Sequence, residues 1–542
     1  MSQSRSNPWA ILAVLVLGFF MILLDMTIVN IAIPSIITSL SAGLNQILWV
    51  INAYIMVYAV LLISAGRIGD IYGQRNLFAA GLVIFTIASA FCGLAQDTNQ
   101  LIAARVIQGI GGALLTPQTL AILTGIFPPE RRGAAFGVWG AVAGLGAVAG
   151  PTLGGIIVTN WSWRWIFYIN VPLGIITLIL TFLIIPDLRL GRRHRLDVVG
   201  VLLASAGLFG IVFGLIEGQP HDWGQFWGPV TIPSILIGSV VILIAFVIWE
   251  QFPEEPLIPL SLFKDRNFSL MNWANVVISF GMLGLFLPLT IYLQSVLGMS
   301  ALTAGLTIAP LSLVTMVAAP VTGHLSDKYG GKHILIFGFT FFALGVGLIT
   351  WLASVNSSWF TFLIPLLIAG AGMGSIFAPL STIAMRDVTP PMAGAASGIL
   401  NTTRQVGSAI GTAAVGAILE TRLASALKEQ AVVYSTQVPG DFRDRFVDAF
   451  SNAASGGLQV GPGQTGVAEH LPPDVPPQVI QQLQDLFHNV FAHAFVIAMR
   501  PSLVVAILVL VVGAVSCLAL KHGRTETEPA SPAESLVGER VI

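Results

Sequence analysis

The chain has 542 residues, of which 55% are hydrophobic and only 9% are charged, and its formal net charge is −1. A soluble globular domain averages about 25% charged residues, so this composition excludes a water-soluble protein and places most of the chain in lipid. The net charge of −1 is uninformative about nucleic acid, but no basic tract of the kind that binds nucleic acid appears, so no nucleic-acid partner is expected. Cys92 and Cys517 lie in apolar runs without metal-ligand spacing, which predicts neither a metal site nor a disulfide framework.

Fourteen apolar runs are long enough to cross a bilayer as α-helices. The first run is too long for the core of a signal peptide and lacks a convincing cleavage site, so we expect it to remain as the first helix. An even number of spans places both termini on the same side of the membrane. The predicted spans are, in chain order, 9–33, 46–66, 77–95, 100–123, 133–159, 165–186, 197–217, 230–249, 268–293, 302–322, 333–353, 359–382, 394–420 and 499–520.

The lysines and arginines indicate which side is cytoplasmic. Of the 25 in the chain, seventeen fall in the termini and the even-numbered loops, and among the short odd-numbered loops only Arg164 appears. Five more belong to the long last loop and its edge, where the positive-inside rule has little force, and Arg105 and Arg404 lie inside spans. Both termini and the even-numbered loops are therefore predicted to be cytoplasmic.

The sequence also repeats itself. The motif GRIGDIYGQR (66–75) returns as GHLSDKYGGK (323–332), and RGAAFGVWGAVAGLGAVAGPTLGG (132–155) returns as AGAASGILNTTRQVGSAIGTAAVG (393–416). Both copies of the first motif fall in predicted cytoplasmic loops, so the repeat is parallel, as in transporters built from two six-helix halves. The extra pair of spans, 197–217 and 230–249, lies between the halves.

One long segment, 421–498, carries charge, glycine and proline and does not resemble a span. Its stretches FRDRFVDAFSNA and VIQQLQDLFHNVFAHAF are amphipathic and predict short helices near the outer membrane surface. We interpret the segment as a loop elaboration, with a role in substrate passage or outer gating as the alternative. The predicted organisation is an N-terminal six-helix half at 1–190, a two-helix linker at 191–260, helices 9–13 at 261–420, an extracellular loop at 421–498, a last span at 499–520 and a cytoplasmic tail at 521–542.

Six motifs, in the right order and on the right sides, resemble those of the fourteen-helix drug:proton antiporters of the major facilitator superfamily. The resemblance covers nearly the whole chain. It implies an all-α integral membrane protein with the major facilitator fold, in which two six-helix halves and a two-helix insert make 14 transmembrane helices. The motifs are LLDMTIVNIAIP (23–34), GRIGDIYGQR (66–75), ARVIQGIGGALLTP (104–117), GAVAGLGAVAGPTLGG (140–155), WRWIFYINVPLG (163–174) and NTTRQVGSAIGTA (401–413).

Asp25 lies deep in the first predicted span, where an ionised side chain needs a cavity or a partner. At about 1.5 Å per residue it lies roughly 24 Å from the inner boundary, and Arg105 lies about 8 Å from the outer boundary of a core about 30 Å thick. The two side chains therefore match in depth and would either pair or share a water-filled crevice. Changes in burial or in the nearby arginine would shift the pKa of the carboxyl group, which predicts proton coupling, as the resemblance also implies. The alternative is a permanent ion pair that only positions two helices.

The motif GRIGDIYGQR predicts an inner gate. Its aspartate can cap helix ends or pair with arginine when the inside is closed, and its glycines permit a close approach. The alternative is that the motif only specifies topology. The predicted gating residues from both copies are Gly66, Asp70, Gly73, Arg75, Asp327 and Lys332.

Helix 5 carries glycines at spacings of four, which let another helix approach closely, and Pro151, which bends the helix. The resemblance implies that this element marks antiporters rather than symporters, whereas the residues alone predict only tight, bendable packing. The residues assigned to it are Gly146, Gly150, Pro151, Gly154 and Gly155.

Arg404 lies near the predicted membrane midplane, with no acid at its depth in its own half. Its partners would be helix-end carbonyls, cavity water, Asp25 across the halves or an anionic substrate group, and a structural role linking the halves is equally open. A single deep acid favours neutral or singly cationic substrates over dications. The residues predicted to line the substrate cavity are Asn30, Asn52, Trp139, Asn275, Asn401, Arg404 and Gln405.

The sequence as a whole predicts a proton-coupled antiporter that exports amphiphilic compounds such as drugs, dyes and antibiotics across the plasma (inner) membrane by alternating access. The alternative on the same fold is an exporter of a lipid or an endogenous metabolite. No catalytic residue, metal or cofactor other than the proton gradient is expected, so the chain is not predicted to be an enzyme. The expected partners are small amphiphilic substrates, protons and membrane lipids, with no nucleic acid, and we expect a monomer.

Overall fold

The computed structural model describes residues 7–40, 44–187, 196–218, 221, 223–253, 255–389, 392–437, 443, 446–447, 450 and 477–520. Within these residues the protein is a bundle of α-helices joined mostly by short turns. The helices are α1 (Pro8–Leu40), α2 (Leu44–Tyr72), α3 (Gln74–Leu94), α4 (Thr98–Ile126), α5 (Arg132–Asn160), α6 (Trp165–Tyr168), α7 (Asn170–Ile184), α8 (Val198–Gly218), α9 (Ile232–Trp249), α10 (Arg266–Ile291), α11 (Ala301–Tyr329), α12 (Lys332–Leu352), α13 (Leu363–Ala384), α14 (Ala393–Ser435) and α15 (Pro477–Cys517).

Thirteen helices in the described part of the chain are long and apolar enough to cross a membrane. The predicted fifth span coincides with α5, which is 29 residues long but has several side chains outside the described residues. The predicted sixth span is divided into α6 and α7 at Ile169. The prediction of a multi-span helical membrane protein is confirmed, whereas the count of fourteen spans stays a prediction.

The last predicted loop is shorter than expected because the helices on both sides of it extend into it. Helix α14 continues to Ser435, and α15 begins at Pro477, so VIQQLQDLFHNVFAHAF is the first half of α15. The prediction of a separate surface helix there is wrong, since that stretch contains no proline or glycine to break the helix. Phe446 and Phe450 pack against Phe487 of α15. The rest of FRDRFVDAFSNA, the whole of 451–476 and the tail 521–542 lie outside the described residues.

The bundle has two halves and an insert. We call α1–α7 the N-terminal half, α10–α15 the C-terminal half and α8–α9 the insert. Helix α5 packs against α1 in its own half and against α11 in the other, and α2 packs against α14 across the same interface. The insert contacts α2 through a small cluster of Met56, Ala59 and Val212. Between α8 and α9, a hairpin that was not predicted pairs β1 (Gln225–Trp227) with β2 (Val230–Thr231).

Candidate functional site

Asp25 is fully buried inside the N-terminal half, where it receives three hydrogen bonds. Its Oδ2 lies 2.6 Å from Nη1 of Arg105, and its Oδ1 accepts from Nε2 of Gln108 at 2.9 Å and from Nδ2 of Asn170 at 3.1 Å. The donors come from α4 and α7, while Ser89 of α3 accepts from both amides. The site therefore joins four helices of one half around a single carboxylate.

Arg105 is held in place by more than its ion pair. Its Nε donates to the carbonyl oxygen of Val50 at 3.2 Å, and its guanidinium carbon lies 4.2 Å from the ring centroid of Tyr54. A buried arginine with a carboxylate, a carbonyl and an aromatic face as partners has its charge compensated on several sides. The depth match predicted from the sequence is thus realised as a direct pair, and the alternative of a shared crevice does not describe this conformation.

The sequence reasoning missed Gln108, Asn170 and Ser89. Gln108 follows Arg105 by three residues and so shares its helix face, which was a usable signal. Asn170 lies within the motif WRWIFYINVPLG, but it is 145 residues from Asp25 in sequence, and no local spacing indicates that the two meet. Polar side chains in apolar runs need partners, and this requirement is the general signal that would have singled them out.

The two aspartates of the repeated motif make equivalent contacts across the interface between the halves. Asp70 accepts hydrogen bonds from the backbone N–H groups of Gly394 and Ala395, both at 2.9 Å. Asp327 accepts from the N–H groups of Gly133 and Ala134, at 2.8 and 3.0 Å. Each carboxylate thus caps the first turn of a helix in the opposite half, where the unpaired N–H groups and the helix dipole favour a negative charge. This end of the interface is closed.

Glycines permit this closure. A Cβ atom on Gly66 would collide with the carbonyl of Gly394, and one on Gly133 would collide with the carbonyl of Gly323. The backbones of the two halves are therefore in direct contact at two equivalent points of this interface, Gly66 with Gly394 and Gly133 with Gly323. Gly73 has a φ of 95°, a left-handed conformation that glycine adopts without strain, and its counterpart in the second copy behaves in the same way.

Arg75 and Lys332 lie at the gate but do not contact its aspartates. Arg75 donates to the carbonyl of Ile185 at 3.3 Å and lies 3.5 Å from a carboxylate oxygen of Asp187, at the end of α7. Lys332 donates to the carbonyls of Leu518 and Leu520 at 2.7 and 3.0 Å, at the end of α15. Each cation thus stabilises the negative end of the last helix in its own half, so it anchors the loop that carries the gating aspartate.

A further gate residue was not predicted. Arg132, at the start of α5, donates to the carbonyl of Met385 at 3.0 Å and to that of Thr124 at 2.8 Å. It also donates to the carbonyl oxygens of Phe127 and Arg386, at 3.1 and 3.4 Å. The guanidinium therefore joins the carboxyl ends of α4 and α13, one from each half. In the sequence Arg132 contributed only to the count of inner positive charges.

The glycines assigned to the antiporter element pack α5 against α1. Gly146 faces Leu23, Gly150 faces Thr27 and Gly154 faces Ile28. The hydroxyl of Thr27 also donates to the carbonyl of Gly146, at 3.1 Å. Nothing lies within 4 Å of the Cβ position of Gly155, and the side chain of Pro151 lies outside the described residues. The close helix approach that the spacing predicts is present, while the exchange direction stays a prediction.

A small cavity lies between the halves, about 15 Å along α14 from the Asp70 contact. Its volume is about 20 Å³, which has room for little more than one water molecule. Arg404 lines it, donates from Nη2 to Oδ1 of Asn401 at 3.1 Å, and has its guanidinium carbon 5.8 Å from the ring centroid of Trp139. The lining residues are Leu120, Trp139, Asn275, Phe377, Leu380, Ser381, Leu400, Asn401 and Arg404.

The cavity thus contains four of the seven predicted cavity residues. Asn52 and Gln405 are half-buried and do not line it, and the side chain of Asn30 lies outside the described residues. Asp25 does not line it either, and of the alternatives left open for Arg404, the contact with Asp25 is not made in this conformation. Among the described residues that line the cavity the one charge is the arginine, and the expectation of neutral or singly cationic substrates stays a prediction.

Comparisons with known proteins agree with this architecture. Residues 15–412 match the sequence family described as "Major Facilitator Superfamily". A "Tetracenomycin C resistance and export protein" of Streptomyces glaucescens is 34% identical over 428 residues, which cover 78% of this chain and 78% of that protein. The "Multidrug resistance protein Stp" of Mycobacterium tuberculosis (strain CDC 1551 / Oshkosh) is 34% identical over 413 residues, which cover 76% of each chain.

Among solved structures, a proton:xylose symporter named XylE superposes with a TM-score of 0.56. The superposition covers 83% of this chain and 94% of that one, at 13% sequence identity. At so low an identity the likeness concerns the fold alone. The helical architecture predicted from the sequence is the one that these transporters share.

Proposed function

Since this chain belongs to the major facilitator superfamily, we propose that it exports small amphiphilic organic compounds across a plasma membrane in exchange for protons. Its relatives include resistance and export proteins, and the chain is a multi-span membrane protein with the fold of transporters. In the proposed cycle the two halves alternate between inward-open and outward-open states around the cavity at their interface. The gate formed by Asp70 and Asp327 faces the cytoplasm.

One observation carries the proton-coupling part of the proposal, namely the sealed pair of Asp25 and Arg105. A carboxylate buried in the apolar interior is stable as an anion only while its donors remain in place. When α1 and α4 move apart, Asp25 loses the guanidinium and takes up a proton. When they return, the guanidinium favours the anion again and the proton leaves. The site therefore exchanges protons in step with helix movement.

Helix α1 supplies a physical link between this site and the cavity. Phe19 of α1 stacks on Trp139, with ring centroids 4.5 Å apart, and Trp139 lines the cavity. Asp25 lies six residues further along the same helix, about 9 Å away at 1.5 Å per residue. A substrate that stacks on Trp139 holds α1 in place through Phe19, and so favours the ion-paired, deprotonated carboxylate. Substrate binding and proton binding thereby become competing events.

The test is proton–substrate exchange in inverted membrane vesicles under an imposed pH gradient. Two probes of opposite charge, the cation ethidium and the anion anthraquinone-2-carboxylate, are added to vesicles containing the wild type or Asp25→Asn. We expect at least one probe to release protons in the wild type, and neither to do so in the variant.

The matched control is Asp97→Asn, which removes an acid from the amino-terminal cap of α4 and substitutes an equally good cap. It should exchange like the wild type. Exchange by Asp25→Asn at the wild-type rate would make Asp25 a structural ion-pair partner. Failure of both probes in a folded wild type would contradict the proposed function.

A further inference from the structure

We propose that the cavity between the halves is a binding site for planar aromatic compounds that carry an acidic oxygen group, such as a carboxylate or an ionised phenol. This inference rests on the proposed function, since it names the substrate class of the same exporter. It is argued from the hydrogen-bonding groups and the charge that the cavity walls present.

The first observation is the charge. Arg404 is the one charged residue among the described residues that line the cavity. Its hydrogen bond from Nη2 to Oδ1 of Asn401 uses a single N–H donor of a guanidinium that has five. Asn401 is itself 2% exposed and is fixed by its Nδ2 bond to the carbonyl of Ser397. The guanidinium is therefore oriented by a rigid neighbour, with further donors available for an acceptor.

The second observation is an unsatisfied donor. Trp139 is 3% exposed, and its Nε1–H group has no hydrogen-bond partner in the structure. A buried N–H group without an acceptor is unfavourable by the full loss of its hydration. An anionic or carbonyl oxygen bound in the cavity would accept from this group and from Arg404 together. The indole N–H of Trp139 and the guanidinium of Arg404 are both hydrogen-bond donors, and one ligand oxygen would satisfy both.

The third observation is the shape and polarity of the remaining walls. The indole of Trp139 is supported by Phe19, and Phe377 and Leu400 present further apolar surface. The amide nitrogen of Asn275 is already engaged by the carbonyl of Leu400 and by Thr403, so it adds no free donor. Flat aromatic surface beside an arginine favours a flat aromatic ligand, which stacks on the indole and takes over the cation–π contact.

The cavity in this conformation is too small for such a compound. Arg404 and Trp139 belong to opposite halves, so the ligand enters as the halves move apart and then contacts both. This arrangement is what alternating access requires of a substrate site. The same arginine would repel a cationic compound of equal size and shape.

The test is direct binding to the purified full-length protein in lipid nanodiscs, without any gradient, by equilibrium dialysis. Three probes share one ring system: anthraquinone-2-carboxylate, its methyl ester and the 2-(trimethylammonio)methyl analogue. We expect the carboxylate to bind with a Kd at least about tenfold lower than that of the cation, because of the two only the carboxylate group can accept a charge-assisted hydrogen bond from Arg404. Arg404→Gln should remove most of this preference and weaken the ester less than the carboxylate, and Trp139→Phe should weaken both the carboxylate and the ester by a few-fold, since both present an acceptor oxygen to the indole N–H.

The matched control is Gln405→Ala, one residue along α14 but outside the cavity lining, which should bind all three probes like the wild type. Equal or tighter binding of the cation by the wild type would overturn the proposal, and so would wild-type binding of all probes by Arg404→Gln. If Arg404→Gln does not fold, the relative affinity of the wild type for the carboxylate and the cation still tests the proposal. Asp25→Asn should keep the preference, so loss of exchange and loss of recognition are distinguished.

Discussion

Asp70 and Asp327 occupy equivalent positions in the two halves, and each binds two backbone N–H groups of the opposite half. The interiors of the halves do not correspond in this way. At the offset that aligns Pro117 with Pro379, Arg105 corresponds to Leu367, so the buried ion pair has no second copy. The aspartate contacts across the interface are thus duplicated, while the charged residues inside the two halves differ.

The division separates two charges. The N-terminal half holds the carboxylate that we assign to the proton, sealed away from the cavity. The C-terminal half holds Arg404, which faces the cavity, and the position that corresponds to it in the N-terminal half is Ala143. In the proposed cycle one half senses protons and the other recognises substrate, and α5 and α1 join the two sites.

The largest expected effect comes from breaking the interior of the N-terminal half. Arg105→Leu substitutes the residue found at the equivalent position of the other half and leaves Asp25 buried without its cation. We expect a loss of about 3–5 kcal/mol in the free energy of unfolding, because an unpaired buried charge remains. The measurement is equilibrium unfolding in mixed detergent micelles.

Adding Asp25→Asn to that variant should restore part of the lost stability, since no buried charge is then left unpaired. The control Arg164→Leu removes a half-buried arginine that has no carboxylate partner among the described residues. Its guanidinium donates to the carbonyl of Ala95 and lies over the ring of Trp163, and the loss in the free energy of unfolding should be about 1 kcal/mol. A double variant that is no more stable than Arg105→Leu would show that the pair does not behave as a unit.

The second effect tests whether the two gate copies are equivalent. Asp70→Ala and Asp327→Ala each remove one cap between the halves, worth about 1 kcal/mol, and should shift the closed–open equilibrium about fivefold toward the open gate. Spin labels at Tyr72 and Tyr329, which are exposed and occupy equivalent positions, report the distance across the gate. The two natural cysteines are replaced by alanine for this measurement.

The matched control is Asp265→Ala, which removes a cap of the same kind within one half, on the first turn of α10. It should lower stability without changing the distance between the labels. A long-distance population that appears with Asp327→Ala but not with Asp70→Ala would mean that one copy alone holds the gate.

The smallest effect concerns the side of the gate that the insert covers. The pKa of Glu250, at the end of α9, is raised from its ordinary value of 4.5 to about 7, chiefly by burial. The N–H of Ile258 and the guanidinium of Arg67 oppose this rise, and Asp197 adds to it. The counterpart of Arg67 in the second copy is His324, which is exposed. Only the first copy therefore has a titrating group of the insert beside it, within the described residues.

The expected sign follows from linkage. Because the folded protein holds this proton more tightly than the unfolded chain, the stability that protonated Glu250 contributes is complete below about pH 4.5 and is lost as the pH rises through 7. Glu250→Gln should therefore flatten the decline of the melting temperature between pH 5 and 8. An unchanged pH profile in the variant would exclude Glu250 as the titrating group.

Much of this molecule could be predicted from the sequence, for identifiable physical reasons. The apolar runs predicted most of the helices because lipid requires a continuous apolar surface. The depth estimate placed Asp25 and Arg105 at the same level because each lies within one continuous helix, at a fixed rise per residue. The gate contacts of Asp70 and Asp327 followed from the repeat. The positions of the spans and the depths of Asp25 and Arg105 depend only on distance along a helix axis, which can be counted from the sequence.

The remainder depends on how each helix is rotated, which the sequence does not specify so directly. Asn401 and Arg404 face the cavity, while Gln405 of the same turn does not. Asn170 reaches Asp25 only because α7 packs beside α1. The start of α15 was missed because charge and amphipathicity were interpreted as a sign of a surface helix, although no residue breaks the helix there.

The position of Arg404 gives the proposed transport cycle an electrical sign. If an anion leaves as one proton enters, the exchange moves two positive elementary charges inward, and a membrane potential of 100 mV, negative inside, adds about 5 kcal/mol to the driving force. A cation exchanged for one proton would move no net charge. An exporter of anions that works by this exchange would be powered by voltage as well as by pH, and would continue to work where the pH gradient has collapsed.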